Sequence, residues 1–243
     1  MVAKLAVFDI DGTLCDTNAV DDDCFVQAVG EFIGVEPSSI DWSDAPHITD
    51  SALFNWICEK YSSRPLEVTD CSTVITRFVQ LLHEQSTSAP DRFRRIPGAI
   101  QAVTCLPDLQ WDVALATGGW KASARLKLSL IGLDPDRLIL STANDALTRA
   151  EIVQTAISRA QEYHNRTYAR IVSIGDAPWD VRTAEDLGLP FVGIARGERA
   201  ARLRAAGATT VLDNLDLPAF HDALDRATVP KATQLSVRNR DDE

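Results

Sequence analysis

The feature that most constrains this chain is a short apolar run that ends in two aspartates and a glycine. Residues 5–8 read Leu-Ala-Val-Phe, which is typical of a buried strand, and Asp9-Ile10-Asp11-Gly12 follows directly. Alternate residues of an extended chain face the same way, so the two carboxylates are expected to converge. Such a pair is costly to desolvate unless a cation lies between them, and hard cations such as Mg²⁺ prefer oxygen ligands. A solvated Asp-Gly turn at the end of a strand is the alternative interpretation.

A second apolar strand with an acidic end lies far along the chain. Residues 171–175 are followed by Asp176, and Asp180 comes at the start of a helical pattern that Gly188 ends. Ligands of open α/β sheets bind beyond the carboxyl ends of the strands, so two such loops can bring their acids to one ion. The combination predicts a metal site formed by Asp9, Asp11, Asp176 and Asp180.

Strand and helix patterns alternate over most of the chain. The strand patterns lie at about 4–9, 111–117, 137–141, 170–174 and 190–194, and the helical patterns at about 98–106, 120–131, 149–163 and 180–187. Alternation of this kind favours a parallel sheet with helices on both faces. The expected fold class is therefore α/β, with a Rossmann-like, doubly wound parallel core.

One long segment interrupts this alternation. Between about residues 16 and 94, three stretches (19–33, 51–61 and 69–85) have helix-like apolar spacing, with no convincing strand. We predict a core from residues 1–15 and 95–226, with residues 16–94 forming an inserted α-helical cap over the site. The polar tail at 227–243 lacks periodicity and is expected to be poorly ordered.

The charge balance limits the partners of this protein. The 243 residues include 24 basic and 35 acidic ones, a formal net charge of −11, which disfavours nucleic acid and anionic membranes as partners. Five cysteines without a Cys-x-x-Cys pair are typical of reduced thiols. No signal-like leader precedes the first strand, and no apolar run is long enough for a membrane helix. We expect a cytoplasmic protein, and the sequence leaves its oligomeric state open.

At these motifs the chain resembles the haloacid dehalogenase-like hydrolase superfamily, and within it the phosphoglycolate-phosphatase-like branch with a helical cap. The run Asp9-Ile10-Asp11-Gly12-Thr13 matches the first motif of the family, and Thr117, at the end of a strand, matches the second. The acidic fourth motif is matched by the segment from Gly175 through Asp176 to Asp180. The resemblance extends over about residues 3–225.

The third motif departs from the family pattern. The family usually has a lysine there, whereas Arg149 stands at the matching place before Glu151. Arginine keeps the positive charge and offers a planar fork suited to phosphate or carboxylate. Lys121, in the helix after Thr117, is a second source of positive charge, although a solvated surface lysine is the favoured interpretation.

The resemblance implies a two-step phosphoryl transfer. Asp9 would attack phosphorus and form an aspartyl-phosphate, while Asp11 would protonate the leaving oxygen and then activate water. The implied cofactor is Mg²⁺, with ligands from Asp9, the Asp11 backbone carbonyl and Asp176, and with Asp180 supporting the site directly or through water.

The remaining implied roles concern the phosphate group. The Thr117 hydroxyl and the Gly118 backbone N–H would bind phosphate oxygens at a helix N-terminus, and Arg149 would neutralise the Asp9–phosphate pair. The implied function is a Mg²⁺-dependent phosphatase acting on a small phosphorylated metabolite.

Other activities stay open from the sequence. Asp11 disfavours a carbon–halogen dehalogenase, but a phosphomutase remains possible, although Thr13 fits the phosphatase pattern better. A phosphonate hydrolase would need a Schiff-base lysine from the insertion, for which Lys60 is the candidate. A non-catalytic phosphate-binding or scaffold protein is the alternative from a different class.

Some residues have two interpretations at this stage. The segment from His47 to Asp50 could contact substrate or could be a helix-capping loop, and Trp120 could border the site or pack in the core. The run of acids at 21–23 lies near a helix start, where a solvated face is favoured. The arginines at 196 and 199 are expected to face solvent.

Overall fold

The computed structural model describes residues 3–42, 45, 49–67 and 69–231. In chain order its strands and α-helices are β1 (Lys4–Phe8), β2 (Cys15–Asp16), α1 (Asn18–Ile33), α2 (Asp50–Tyr61), α3 (Asp70–Ser88), β3 (Arg94–Arg95), α4 (Ala99–Cys105), β4 (Trp111–Ala116), α5 (Lys121–Leu130), β5 (Leu140–Ser141), α6 (Arg149–His164), β6 (Arg170–Gly175), α7 (Pro178–Asp186), β7 (Phe191–Ile194), α8 (Gly197–Ala205), β8 (Val211–Leu212) and α9 (Leu217–Arg226). Within these ranges, no helix combines the length and the apolar character that crossing a membrane requires.

Strand β1 lies in the middle of a parallel sheet. Within the described residues the sheet has six strands in the order β5-β4-β1-β6-β7-β8. Phe8 is in register with Leu115 of β4 and with Ile174 of β6. The strand order reverses on either side of β1, so the loops after β1, β4 and β6 open together at the switch point where such sheets bind ligands. The predicted parallel α/β core is confirmed.

Helices cover both faces of the sheet because consecutive residues of a strand point to opposite sides. Ala6 and Phe8 belong to a core cluster that includes residues of α4, α5 and α9. Leu5 and Val7 face the other way and pack against α6. Helices α7 and α8 pack against β7 in a further cluster. This burial on both sides explains why the strand sequences are continuously apolar.

The helical insertion has an apolar core of its own. Helices α1, α2 and α3 bury a cluster whose members include Val20, Phe25, Phe54, Ile57, Val74, Phe78 and Leu82. The two-residue strands β2 and β3 pair antiparallel where the chain enters and leaves this segment, with Cys15 opposite Arg95. The helical character predicted for the insertion is observed, whereas the division into domains stays a prediction.

Trp120 connects the insertion to the core. The residue precedes α5 and is fully buried, with its ring centroid 5.5 Å from that of Phe25, 6.1 Å from that of Phe54 and 5.9 Å from that of Phe78. Its indole Nε1–H donates a hydrogen bond of 2.8 Å to the Ser51 hydroxyl of α2. The side chain therefore packs in a core, which is one of the two interpretations of the sequence.

The structure differs from the expected elements mainly towards the C-terminus. The strand expected at 137–141 is only Leu140–Ser141, because residues Pro135–Arg137 form a 3₁₀ turn that the Asp134 side chain caps. Strand β8 and helices α8 and α9 were not among the expected elements. Strand β8 has only two residues, which leaves no alternating pattern to read. The backbone carbonyl of Thr228 accepts a hydrogen bond from Phe191, and residues 232–243 of the expected tail lie outside the described ranges.

Candidate active site

Asp9 stands at the carboxyl end of β1, where the central strand meets the switch point. Its backbone N–H donates to the Ile174 carbonyl at 2.9 Å, which extends the pairing with β6 by one residue. The side chain is only 7% exposed, and its Oδ2 accepts a hydrogen bond of 3.3 Å from the Thr13 hydroxyl. The sheet thus holds this carboxylate rigidly at the edge.

The loop after β6 brings two further carboxylates to Asp9. Pro178 suits the first turn of α7, where a missing N–H costs nothing, and the Asp180 carboxylate accepts the Ala177 N–H at 3.1 Å. One oxygen from each of Asp9, Asp176 and Asp180 lies within 4.8 Å of the others, and all three residues are buried. Three hard oxygen donors at this separation could hold a divalent cation.

The surroundings of the acidic trio (Asp9, Asp176 and Asp180) disfavour its ionisation. Burial, and then the charge of Asp180, raises the pKa of Asp176 to about 7. Burial and the same neighbour also raise the pKa of Asp9 well above its usual range, against the opposing charge of Arg149. A bound cation would reverse this balance by stabilising the ionised forms.

The carboxylate of Asp11 takes a different direction from the one that the sequence spacing predicts. Strand β1 ends at Phe8, so strict alternation does not continue to Asp11. Its two oxygens accept hydrogen bonds of 2.7 and 2.6 Å from the Lys127 ammonium group, and Oδ1 also accepts from the Thr17 hydroxyl at 2.5 Å. The side chain therefore lies outside the acidic trio, and a role for Asp11 at a metal through its backbone carbonyl stays a prediction.

Lys127 is the main residue near the site that the sequence interpretation missed. It lies in α5 with a side chain that is 0% exposed, and its ammonium group also contacts Asp21 Oδ1 of α1 at 2.6 Å. Burial alone would lower the pKa of Lys127, but the charges of Asp11 and Asp21 raise it well above its usual value. The expected solvated face at 21–23 is therefore wrong for Asp21. The signal was available, because Lys127 falls on the same helical face as Ala124 and Leu128.

Thr117 follows β4 directly and lies buried at the switch point. Its hydroxyl accepts a hydrogen bond of 3.1 Å from the Gly119 N–H, and Thr117 and Gly118 both line the cavity beside Asp9. Helix α5 begins a few residues further, at Lys121, whose side chain is exposed. The end of β4 therefore offers a hydroxyl and a backbone segment near a helix N-terminus, an arrangement suited to an anion.

Arg149 reaches the acidic trio from the first turn of α6. A capping box between Thr148 and Glu151 fixes the start of this helix. The guanidinium Nη1 lies 2.8 Å from Asp180 Oδ1 and 3.5 Å from Asp9 Oδ1. Arg149, at the third-motif position, therefore places a positive charge beside Asp9, as expected from the sequence. Lys121, the second candidate for a positive charge, is exposed and does not line the cavity beside Asp9.

A cavity of about 270 Å³ lies between the sheet edge and the helical insertion. Its lining includes Asp9, Asp11, Asn18, Asp21, Asp22, Thr49, Asp50, Leu53, Thr117, Gly118, Arg149, Asp176 and Trp179. Asn18 contributes directly, because its amide donates to Asp176 Oδ2 at 2.9 Å. Arg199 also contacts Asp176 Oδ2, at 3.4 Å. The expectation that this arginine only faces solvent is therefore wrong.

The start of α2 contributes Thr49 and Asp50 to the cavity. The Thr49 hydroxyl caps α2 and donates to the Leu147 carbonyl at 2.7 Å. The Asp50 carboxylate accepts a hydrogen bond of 2.8 Å from the Trp120 backbone N–H, and burial raises the pKa of Asp50 to about 7. His47 and Ile48, which the sequence interpretation considered with them, lie outside the described residues.

The fold and the site together define an α/β protein with a buried acidic centre at the switch point of its sheet and a helical insertion beside it. The model of the haloacid dehalogenase-like hydrolases matches residues 3–188, so the chain belongs to that family, as the sequence motifs predicted. Membership of a hydrolase family agrees with the expectation of an enzyme. No protein of curated function matches the sequence significantly.

Several solved structures share this fold. CbbY from Rhodobacter sphaeroides, in complex with phosphate, superposes with a TM-score of 0.64 at 16% identity, covering 93% of this chain and 100% of that one. β-Phosphoglucomutase from Clostridium difficile gives a TM-score of 0.64 at 15% identity, with 92% and 96% covered. A predicted phosphoglycolate phosphatase from Haemophilus somnus gives 0.57 at 14% identity, with 88% and 95% covered. At these identities the likeness concerns the fold.

The close approach of Gly12 to Asp176 gives a first test of the site. A Cβ at Gly12, whose φ is +78°, would lie 2.0 Å from Asp176 Oδ2, whereas at Gly188, with φ +65°, it would meet no atom within 4 Å. Both alanine variants should lose about 1–2 kcal/mol of stability from backbone strain. Only Gly12→Ala should also weaken Mn²⁺ binding, by at least about tenfold in calorimetric titration, because the carboxylate must move. Equal affinities of the two variants would contradict this view of the site.

The raised pKa of Asp176 predicts a pH dependence of cation binding. A carboxyl group with a pKa of about 7 must release its proton before it binds a cation, so binding should weaken as the pH falls below 7. One displaced proton corresponds to about a tenfold loss of affinity per pH unit. Calorimetry with Mn²⁺ should show at least this loss between pH 7 and pH 6, because the raised pKa of Asp9 acts in the same direction. A constant affinity from pH 6 to pH 8 would count against the assignment.

Proposed function

We propose that this protein is a Mg²⁺-dependent phosphatase that hydrolyses a small phosphorylated metabolite through an aspartyl-phosphate on Asp9. One observation carries the proposal: Asp9 is buried at the switch point, beside the Arg149 guanidinium and within the acidic trio. A buried carboxylate with a cation beside it is suited to attack on a phosphate ester. Membership of the hydrolase family supports this proposal.

The nucleophile and the phosphate group would meet at the mouth of β1. Asp9 would attack phosphorus with one carboxylate oxygen, while the Thr117 hydroxyl and the Gly118 N–H bind the non-bridging oxygens. Arg149 would offset the negative charge of the nucleophile and the phosphate, as its 3.5 Å approach to Asp9 allows. These groups all line one cavity, so a substrate bound there could contact all of them without movement of the sheet.

The donor set fits Mg²⁺. Its ligands would come from Asp9, Asp176 and Asp180, with the Asp11 carbonyl as a further oxygen, and all are the hard donors that this cation prefers. When bound, Mg²⁺ would supply charge neutralisation between the nucleophile and the phosphate.

Asp11 would handle the proton in both halves of the reaction. It would protonate the leaving oxygen when the P–O bond to the alcohol breaks, and it would then take a proton from the water that attacks the aspartyl-phosphate. The same residue lies beside the cavity and is held by Thr17 and Lys127. Hydrolysis would return Asp9 and release inorganic phosphate.

The cavity lining supports a restriction on the alcohol part of the substrate. On the side of the insertion it carries Asp22 and Asp50, and Arg149 is the only cationic side chain among the described lining residues. Among these described residues, a second anionic group on the substrate would therefore face acids with no cation beyond Arg149 to pair with it. We propose that the alcohol part is neutral or cationic and contains no carboxylate or second phosphate.

The structural setting bears on the alternatives. Lys60, the candidate Schiff-base lysine, lies exposed on α2 with its ammonium 4.9 Å from the Trp56 ring centroid, and it does not line the cavity, which gives a phosphonate hydrolase no support. A phosphomutase would use the same aspartates and differs in the group that accepts the phosphoryl. A non-catalytic binder would have no use for a positioned nucleophile, and activity measurements decide between these options.

Substitution of Asp9 tests the proposed function directly. Release of phosphate from an aryl phosphate should require Mg²⁺, stop with chelator, and fall by at least about 10³-fold in Asp9→Asn because the nucleophile is lost. Asp225→Asn is the control and should keep full activity. Asp225 forms an exposed ion pair with Lys4, at the opposite end of β1 from Asp9. Turnover that survives Asp9→Asn would refute the mechanism. Metal binding without turnover would favour a mutase or a binder.

A matched set of esters tests the charge preference. We expect kcat/KM for 2-aminoethyl and 2-hydroxyethyl phosphate to exceed that for carboxymethyl phosphate by at least about tenfold, since the three differ mainly in the charge of a two-carbon alcohol. Asp22→Asn should reduce this ratio of kcat/KM values, because it removes one of the carboxylates proposed to face the alcohol part of the substrate. Preferred turnover of the carboxymethyl ester by the unsubstituted enzyme would show that the proposed restriction is wrong.

A further inference from the structure

Lys127 has no assigned role in the proposed reaction, although its side chain is fully buried and its ammonium group contacts two carboxylates near the site. Its position in α5 lies on the buried face with Ala124 and Leu128, where an apolar side chain would be the ordinary choice. An ammonium group that is 0% exposed is strongly unfavourable unless carboxylates surround it. A lysine retained in such a place is therefore explained by the groups that it contacts.

The contacts of Lys127 determine the orientation of Asp11. The ammonium bonds both Asp11 oxygens, at 2.7 and 2.6 Å, while the Thr17 hydroxyl donates to Oδ1 at 2.5 Å. Three hydrogen bonds on two oxygens leave the carboxylate little freedom to rotate. The third contact of the ammonium, Asp21 Oδ1 at 2.6 Å, lies on α1 of the helical insertion. One side chain of the core thus joins the loop after β1 to the insertion.

We propose that Lys127, supported by Asp21, is a positioning residue for Asp11 and thereby sets which leaving groups the enzyme can expel. The inference rests on the proposed function, in which Asp11 protonates the leaving oxygen. Only an ester with a poor leaving group needs that proton, because a strongly acidic phenol leaves as a stable anion. Loss of Lys127 should therefore affect alkyl esters much more than activated aryl esters. A merely structural role would lower both rates equally.

The test compares two substrates in four proteins. With Mg²⁺ present, Lys127→Met should lower kcat for 2-hydroxyethyl phosphate by at least about tenfold and kcat for 2,4-dinitrophenyl phosphate by less than about threefold. KM for both should change little, because the phosphate-binding groups are intact. Arg125→Met, on the same helix as Lys127, is the matched control: it removes the cation of the exposed Arg125–Asp136 pair and should leave both rates unchanged.

A double variant separates positioning from folding. Lys127→Met alone leaves the carboxylates of Asp11 and Asp21 without their cation, so this variant should melt at a lower temperature than the unsubstituted protein. Lys127→Met/Asp21→Asn also removes the Asp21 charge, so only Asp11 is left without its cation; this variant should regain part of that thermal stability, yet keep the selective loss on the alkyl ester. The stability and the rate would then respond to different parts of the same contact.

The outcomes distinguish this inference from the function on which it rests. Turnover by the unsubstituted enzyme, with equal losses on both esters in the variants or with alkyl turnover restored in the double variant, overturns the positioning role and leaves the phosphatase assignment standing. Absence of turnover by the unsubstituted enzyme on either ester refutes the proposed function and this inference together. The selective loss in both Lys127 variants supports the role.

Discussion

The mutual repulsion of three carboxylates held at one sheet edge is the constraint on which the rest of the site depends. Asp9, Asp176 and Asp180 bring ligand oxygens within 4.8 Å of one another in a buried place, where unpaired charges are strongly unfavourable. Part of the cost is offset by Arg149, by the Ala177 N–H and by the Asn18 amide, each of which contacts one or two of the acids. Even with Arg199, which also contacts Asp176, these donors leave the pKa of Asp176 raised, first by burial and then by the charge of Asp180. A site in this condition could hold a cation, whose charge would stabilise the ionised carboxylates.

The sheet supplies the rigidity that this repulsion requires. Asp9 continues the pairing of the central strand through its own N–H, and the register of β1 with β6 brings the loop of Asp176 beside it. Both faces of the sheet are covered, so the strand ends cannot relax apart without exposing core residues such as Phe8 and Val7. Apolar packing therefore holds the carboxylates in an arrangement that their own electrostatics disfavour, a common property of functional sites.

Sequence reasoning could predict the parts of the site that local patterns encode. Asp9 and Asp176 each follow directly after an apolar strand, so the parallel architecture alone brings them to one edge; their chemical roles remain proposals. The direction of the Asp11 side chain could not be predicted, because it depends on Lys127, 116 residues away. A lysine in a helix is usually solvated, and only its place on the apolar face of α5 marked it as different. The Asp21 contact was missed for the same reason, since it too pairs with a distant residue.

The contacts of α5 show that the insertion and the core are not independent at the cavity. Trp120 packs among aromatic rings of the insertion, its backbone N–H bonds Asp50 of α2, and Lys127 pairs with Asp21 of α1. A displacement of α1 would remove Asp21, one of the two carboxylates that contact the buried Lys127 ammonium group. The carboxylate of Asp11 would then have to balance the positive charge alone. The orientation of Asp11 and the position of the insertion are therefore linked through a single side chain. Because the same insertion lines the cavity with Asp22 and Asp50, the surface proposed to face the alcohol part of a substrate is mechanically connected to Asp11, the proposed proton donor to the leaving oxygen.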